Sequence, residues 1–183
     1  IKPGIIKTGV DKGALSDIDA KLVRAAARTH LQTGLTIASH TGDGVAAMEE
    51  LALLKGEGVA ASAFIWVHAQ NESDTSLHAK AAEQGAWVEF DGINEKSLDR
   101  HVQFVKAMID RGFIDRILIS QDSGWYHVGE PGGGNFRNYE LLFTHFIPAV
   151  KKTGVSDEQI RKLLIENPRQ ALTLTKRALP KVR

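Results

Sequence analysis

The chain has no cysteine among its 183 residues. A disulfide framework, a thiolate zinc site, an Fe–S cluster and a thiol nucleophile are all thereby excluded. Neither sign of charge is in excess: 23 Lys and Arg face 22 Asp and Glu, for a formal net charge of +1. There is no bulk positive field to hold nucleic acid or an anionic membrane. Long apolar runs are missing too. The most apolar stretch, residues 60–67, falls far short of the ~20 residues a helix needs to cross a bilayer. With no export signal in view, the cytoplasm is the default compartment. What remains is the composition of a folded domain, 43% hydrophobic and 25% charged. That supports one core, and no linker divides residues 1–183.

Short apolar runs alternate with longer stretches of helical period. The spacing predicts strands over Gly4–Lys7, Leu35–Ser39, Ala63–Val67, Ala86–Phe90 and Arg116–Ser120. Between them, helices are expected over Asp17–Thr33, Gly44–Gly56, Asp74–Gln84 and Ser97–Arg111. Ser16-Asp17 and Gly34 bound the first helix, while Gly56, Gly85 and Gly112 follow or end the others. A Gly-rich loop, Val128–Asn138, then leads to helices Tyr139–Thr153 and Ser156–Glu166, and Asn167-Pro168 opens a last short helix. Strands without polar alternation, each followed by a helix, are the pattern of a parallel sheet built from βα units. The fold class is α/β.

In such folds the loops at the C-terminal ends of the strands share one face, where active sites are built. Lys7 ends the first strand, His40 the second and His68 the third; Glu89 and Asp91 end the fourth, and Gln121-Asp122 the fifth. Singly, each has a plain reading: a solvated lysine, loop histidines, a turn aspartate. Jointly, Lys, His, His and Asp delivered by four strands to one rim form a constellation. Imidazoles and a carboxylate suit Zn²⁺ or a similar divalent ion. Trp125-Tyr126-His127, just beyond Asp122, is expected to line a substrate pocket, with an aromatic plug of the sheet's mouth as the competing reading. His30, His78 and His101 fall within helices as packing or surface residues, and His145 is expected to be partly buried. The run Gly129-Glu130-Pro131-Gly132-Gly133-Gly134 has no Gly-Lys-Ser/Thr ending and is no phosphate loop; a specificity loop or plain connector fits it.

These pieces resemble the phosphotriesterase-like family of the amidohydrolase superfamily. The matching segments are Gly4-Ile5-Ile6-Lys7, Ser39-His40-Thr41, Val67-His68, Phe90-Asp91-Gly92-Ile93, Ile117-Leu118-Ile119-Ser120-Gln121-Asp122 and Glu166-Asn167-Pro168. The resemblance implies a (β/α)₈ TIM barrel with two divalent metal ions, zinc being the expected metal. By that resemblance Lys7 would be carboxylated by CO₂ and bridge both metals, since a carbamate attracts cations that an ammonium repels. His40 and His68 would bind one ion. Asp122 would bind the other and accept the proton as hydroxide attacks a lactone, carboxylic ester or phosphoester. Asn71 and Gly92 stand where members with strong organophosphate hydrolysis carry Asp and His, which argues against a dedicated phosphotriesterase and leaves a lactone, carboxylic ester or similar substrate open.

The resemblance also carries an expectation about extent. The family's His-x-His pair, at the end of the first barrel strand, occurs nowhere in this sequence. The five strands correspond to strands four to eight of the barrel, with strands one to three missing, and the chain opens IKPGIIK without an initiator Met. A barrel of this type takes about 250 residues. The expectation is therefore a partial barrel that, alone, binds at most one metal well and has little activity. Two other readings stand beside it. Lys7 could form a Schiff base, as in aldolase-type enzymes, or the chain could be a non-catalytic barrel segment whose open edges pair with another chain, such as a second copy in a homo-oligomer.

Overall fold

A computed structural model describes residues 2–137 and 139–180. Five strands, β1 (Ile5–Val10), β2 (Thr36–Thr41), β3 (Phe64–Val67), β4 (Trp87–Phe90) and β5 (Ile117–Ile119), form one parallel sheet in sequential order. Four helices separate them: α1 (Asp17–Thr33), α2 (Gly44–Gly56), α3 (Thr75–Glu83) and α4 (Leu98–Asp110). All nine elements were predicted, with ends displaced by no more than three residues. The largest shift is in β1, which runs past Lys7 to Val10 in unbroken register with Thr36–Thr41. Lys7 is thus mid-strand, and Gly9 is the residue opposite His40.

The caps explain the sharp helix boundaries. Ser16 and Asp19 close a reciprocal capping box at the start of α1, satisfying two otherwise unpaired N–H groups. Gly34 ends the helix at φ 76°, a left-handed turn that a Cβ would strain. Asp43 caps α2 through the N–H of Ala46 and also accepts from Gly13 N, which ties the loop after β1 to the helix after β2.

Strand alternation divides the sheet into two faces. Ile37, Phe64, Trp66, Val88, Phe90 and Ile117 face the helices and form the main core with α1–α4. Ala38, Ile65, Trp87 and Leu118 face the other way, into the concave side, where Ala171 packs on them.

The C-terminal helices depart from expectation in one respect. A π turn over Leu142–Phe146 runs into α5 (Ile147–Lys152), and α6 (Asp157–Arg161) runs through a π turn at Lys162–Glu166 into α7 (Asn167–Leu172). Asn167-Pro168 therefore continues a helix instead of opening one, for the backbone at Glu166 and Asn167 stays right-handed helical. Both π turns end just before a proline segment (Pro148, Pro168). A widened turn accommodates a residue that cannot donate to the carbonyl four back. The first π turn also corrects the reading of His145: Leu142 and Phe146 are buried, and His145 is turned outward and exposed beside Thr144 Oγ1. His30, His78 and His101 are buried packing residues.

Among the described residues, no helix is long and apolar enough to cross a membrane.

Candidate metal centre

The C-terminal ends of the strands converge on a cavity of about 560 Å³ lined by Lys7, His40, His68, Glu89, Asp91, Asp122 and Trp125, among others. Its size is that of a small-molecule site. Strand alternation explains much of the convergence. Lys7 shares the concave face with Ile5, and His40 shares it with Ala38. His68 and Asp122 instead reach the cavity by a backbone departure. They are the two non-glycine residues with positive φ among the described residues, at 65° and 43°. Such conformations cost energy and cluster at functional sites.

One ligand atom from each of His68, Asp91 and Asp122 lies within 4.8 Å of the others. This donor set of imidazole and carboxylates, with no sulfur, fits Zn²⁺ or a similar hard-to-borderline divalent ion. His40 stands beside the group, its ring edge-on to His68 with centroids 4.4 Å apart. Lys7 lines the same cavity and its Nζ donates to Thr8 O at 3.1 Å. The structure therefore brings Lys7, His40, His68, Asp122 and Trp125 together. Tyr126 and His127 lie outside the lining: Tyr126 is exposed and packs on Gly133, and His127 sits with its Nδ1 3.9 Å from Glu130.

Asp91 was legible in the sequence only as a strand end, yet it organises the centre. Its Oδ1 is 2.7 Å from His68 Nδ1 and accepts from Gln70 Nε2 at 2.7 Å, while Oδ2 accepts the backbone N–H of His68 at 3.2 Å. With Nδ1–H directed at the carboxylate, His68 keeps Nε2 as its lone pair, the usual arrangement around a ligating histidine. Asp91 is anchored in turn: Gln70 Oε1 accepts its N–H, and His101 Nε2 is 2.7 Å from its carbonyl.

Electrostatics separate the two histidines. The hydrogen bond to Asp91 raises the His68 pKa, with burial opposing. Burial, together with repulsion from His68 and Lys7, lowers that of His40. Burial works against the Asp91 charge, but the His68 hydrogen bond prevails and holds its carboxyl below the usual range. Glu89 is the opposite case: burial, then the neighbouring Asp91 charge, pushes it well above the usual range. Its Oε2 is buried with no hydrogen-bond partner among the described residues.

Beyond β5, Arg137 folds the loop back onto the site. Its Nε donates to Ser123 Oγ at 2.9 Å and its Nη2 to the carbonyls of Gln121 and Asp122. Trp125 Nε1 also donates to Asp122 O, at 3.1 Å. Neither contact was legible in the sequence, because both depend on how the loop doubles back.

Comparison with known proteins decides the lineage. The family model described as the phosphotriesterase family matches residues 1–172. The chain belongs to that family. Within it, the phosphotriesterase homology protein of Escherichia coli K12 is 33% identical over 175 residues, covering 93% of this chain and 59% of that protein. A phospho-furanose lactonase of Mycoplasmopsis synoviae is 31% identical over 179 residues, covering 93% of this chain and 51% of the lactonase. The crystal structure of the Escherichia coli homology protein, complexed with phosphate in its active site, superposes with a TM-score of 0.83 at 32% identity. That match covers 94% of this chain and 60% of the other. This family member thus spans between half and three-fifths of the length of the relatives it matches. Its five-strand sheet corresponds to part of a TIM-barrel-like fold.

Proposed function

We propose that this chain carries the later half of the catalytic centre of a metal-dependent hydrolase acting on a lactone, a carboxylic ester or a phosphoester. The observation that carries the reading is the meeting of His68, Asp91 and Asp122 within 4.8 Å, in a cavity that also contains Lys7 and His40. The similarity to a phospho-furanose lactonase supports the lactone, and the absence of an acid at Asn71 and of an imidazole at Gly92 agrees with it.

His40 and His68 would hold one divalent ion, and Asp122 would hold a second. Lys7, as its carbamate, would offer an anionic oxygen to each. Bound there, the ions would polarise the scissile oxygen and make water more acidic. Asp122 would accept the proton of the attacking water on its carboxylate. Asp91 would keep the His68 ring in place, and Trp125 would form one wall for the substrate. Tyr126 and His127, which lie outside the cavity lining, would reach substrate only at its outer end.

The correspondence to strands four to eight, with no His-x-His pair in the chain, supports a site completed by strands outside the present sequence. On that basis the 183-residue chain alone would bind at most one ion well. The test is zinc-dependent lactone hydrolysis by the intact protein with and without Asp122→Asn. Asn keeps the shape and tolerates a left-handed backbone, so turnover is expected to fall about 10²- to 10⁴-fold with little change in stability. Hydrolysis that survives both a chelator and this substitution would remove the reading.

A further inference from the structure

His68 has Asp91 to orient its ring, but His40 has no hydrogen bond to its ring nitrogens among the described residues. Its direction is set by the backbone of β2. The residues on either side of it, Ser39 and Thr41, point to the opposite face of the sheet, toward α2, and both are buried. There they meet Glu50, which is itself fully buried. Ser39 Oγ donates to Glu50 Oε1 at 2.5 Å, and Thr41 Oγ1 donates to Oε2 at 2.7 Å. Each carboxylate oxygen thus holds one flank of His40.

A carboxyl group in a core is costly unless its hydrogen bonds are complete, and an apolar residue of similar size often serves stability as well or better. Core packing therefore gives no reason for an acid at this position, whereas a bridge across a histidine does. The opposite strand leaves no slack: a Cβ placed on Gly9 would lie 3.3 Å from His40 Cβ.

We propose that Glu50 is a positioning residue for His40, clamping Ser39 and Thr41 so that the imidazole is held edge-on to His68 at the metal-binding rim. The inference rests on the reading that His40 serves that rim, but its test does not require metal.

The experiment uses the intact protein, metal-free and labelled with ¹⁵N-histidine, followed by titration with zinc alone. Three variants are compared: Glu50→Gln, which keeps hydrogen-bonding capacity; Thr41→Val, which removes one leg at nearly constant volume; and the triple Ser39→Ala, Thr41→Val, Glu50→Met, which replaces the cluster by apolar groups. His40 ring resonances are expected to stay in place in Glu50→Gln and to shift or broaden in the other two. The signals of the buried His30, His78 and His101 should be unchanged in all three. Zinc affinity should hold within about threefold in Glu50→Gln and fall about 10- to 100-fold in the triple variant, the size of effect seen when groups supporting a ligand are removed.

Unmoved His40 resonances in Thr41→Val and the triple variant would overturn the inference. So would joint loss of all the buried histidine signals, which would make Glu50 a general core residue. If zinc binds to none of the proteins, the metal reading of the centre fails, while the His40 resonances still decide the role of Glu50.

Discussion

Glu50 shows at the residue scale how a buried acid shapes both the site and its pH response. Burial raises its pKa from the ordinary 4.5 to about 7, against the pull of the Ser39 and Thr41 hydroxyls. The folded protein therefore binds this proton more tightly than the unfolded chain does. The resulting stabilisation is fully present below about pH 4.5 and is lost as pH rises through about 7. At about 1.4 kcal/mol per pH unit, the loss is about 3 kcal/mol. Urea unfolding should show the parent losing stability relative to Glu50→Gln by about 2–3 kcal/mol between pH 5 and pH 8. A difference independent of pH would contradict this. Neither Glu50 nor Asp91 could be assigned its role from sequence. Glu50 sits one residue along from Glu49 on an ordinary helical stretch, and Asp91 acts on a histidine 23 positions away. That Lys7, His40, His68 and Asp122 share one cavity was legible because the C-terminal ends of parallel strands converge, although Lys7 lies mid-strand and joins by face alternation.

Individual elements were legible where their boundaries are written in side chains. The Ser16–Asp19 capping box and Gly34 mark α1 locally, Asp43 and Asp74 cap the starts of α2 and α3, and left-handed glycines, Gly58, Gly85 and Gly112, follow α2, α3 and α4. The C-terminal region was less so. Pro168 reads locally as a helix start, but the π turn before it lets α6 run on into α7. The reason lies in a long-range contact. Asn167 is fully buried, and its Nδ2 donates at 2.8 Å to the carbonyls of both Ile114 and Ile117, which pins the helix to the start of β5. Asn167→Ala would leave those carbonyls without this donor and is expected to cost about 1–3 kcal/mol in urea unfolding. A loss below about 0.5 kcal/mol would mean that the helix is held by apolar packing alone.

On the scale of the whole molecule, a sequentially ordered parallel sheet gathers its strand ends onto one rim, with α1–α4 on its convex face and α7 against the concave side. The concave side keeps an apolar hollow of about 340 Å³ between Ile5, Ala38, Ile65 and Leu118 of the sheet and Pro168 and Leu172 of α7. Among the described residues, no strand pairs with the outer edge of β1 or of β5. On the proposed reading these are features of a barrel segment whose further strands would close the circle. The central claim is that the rim holds a divalent ion on His40 and His68. It is tested most directly by anomalous diffraction at the zinc edge from crystals of the intact protein soaked in zinc. The expected result is a peak about 2.0–2.1 Å from both His68 Nε2 and a ring nitrogen of His40. A fully loaded crystal with no peak at these atoms would contradict it.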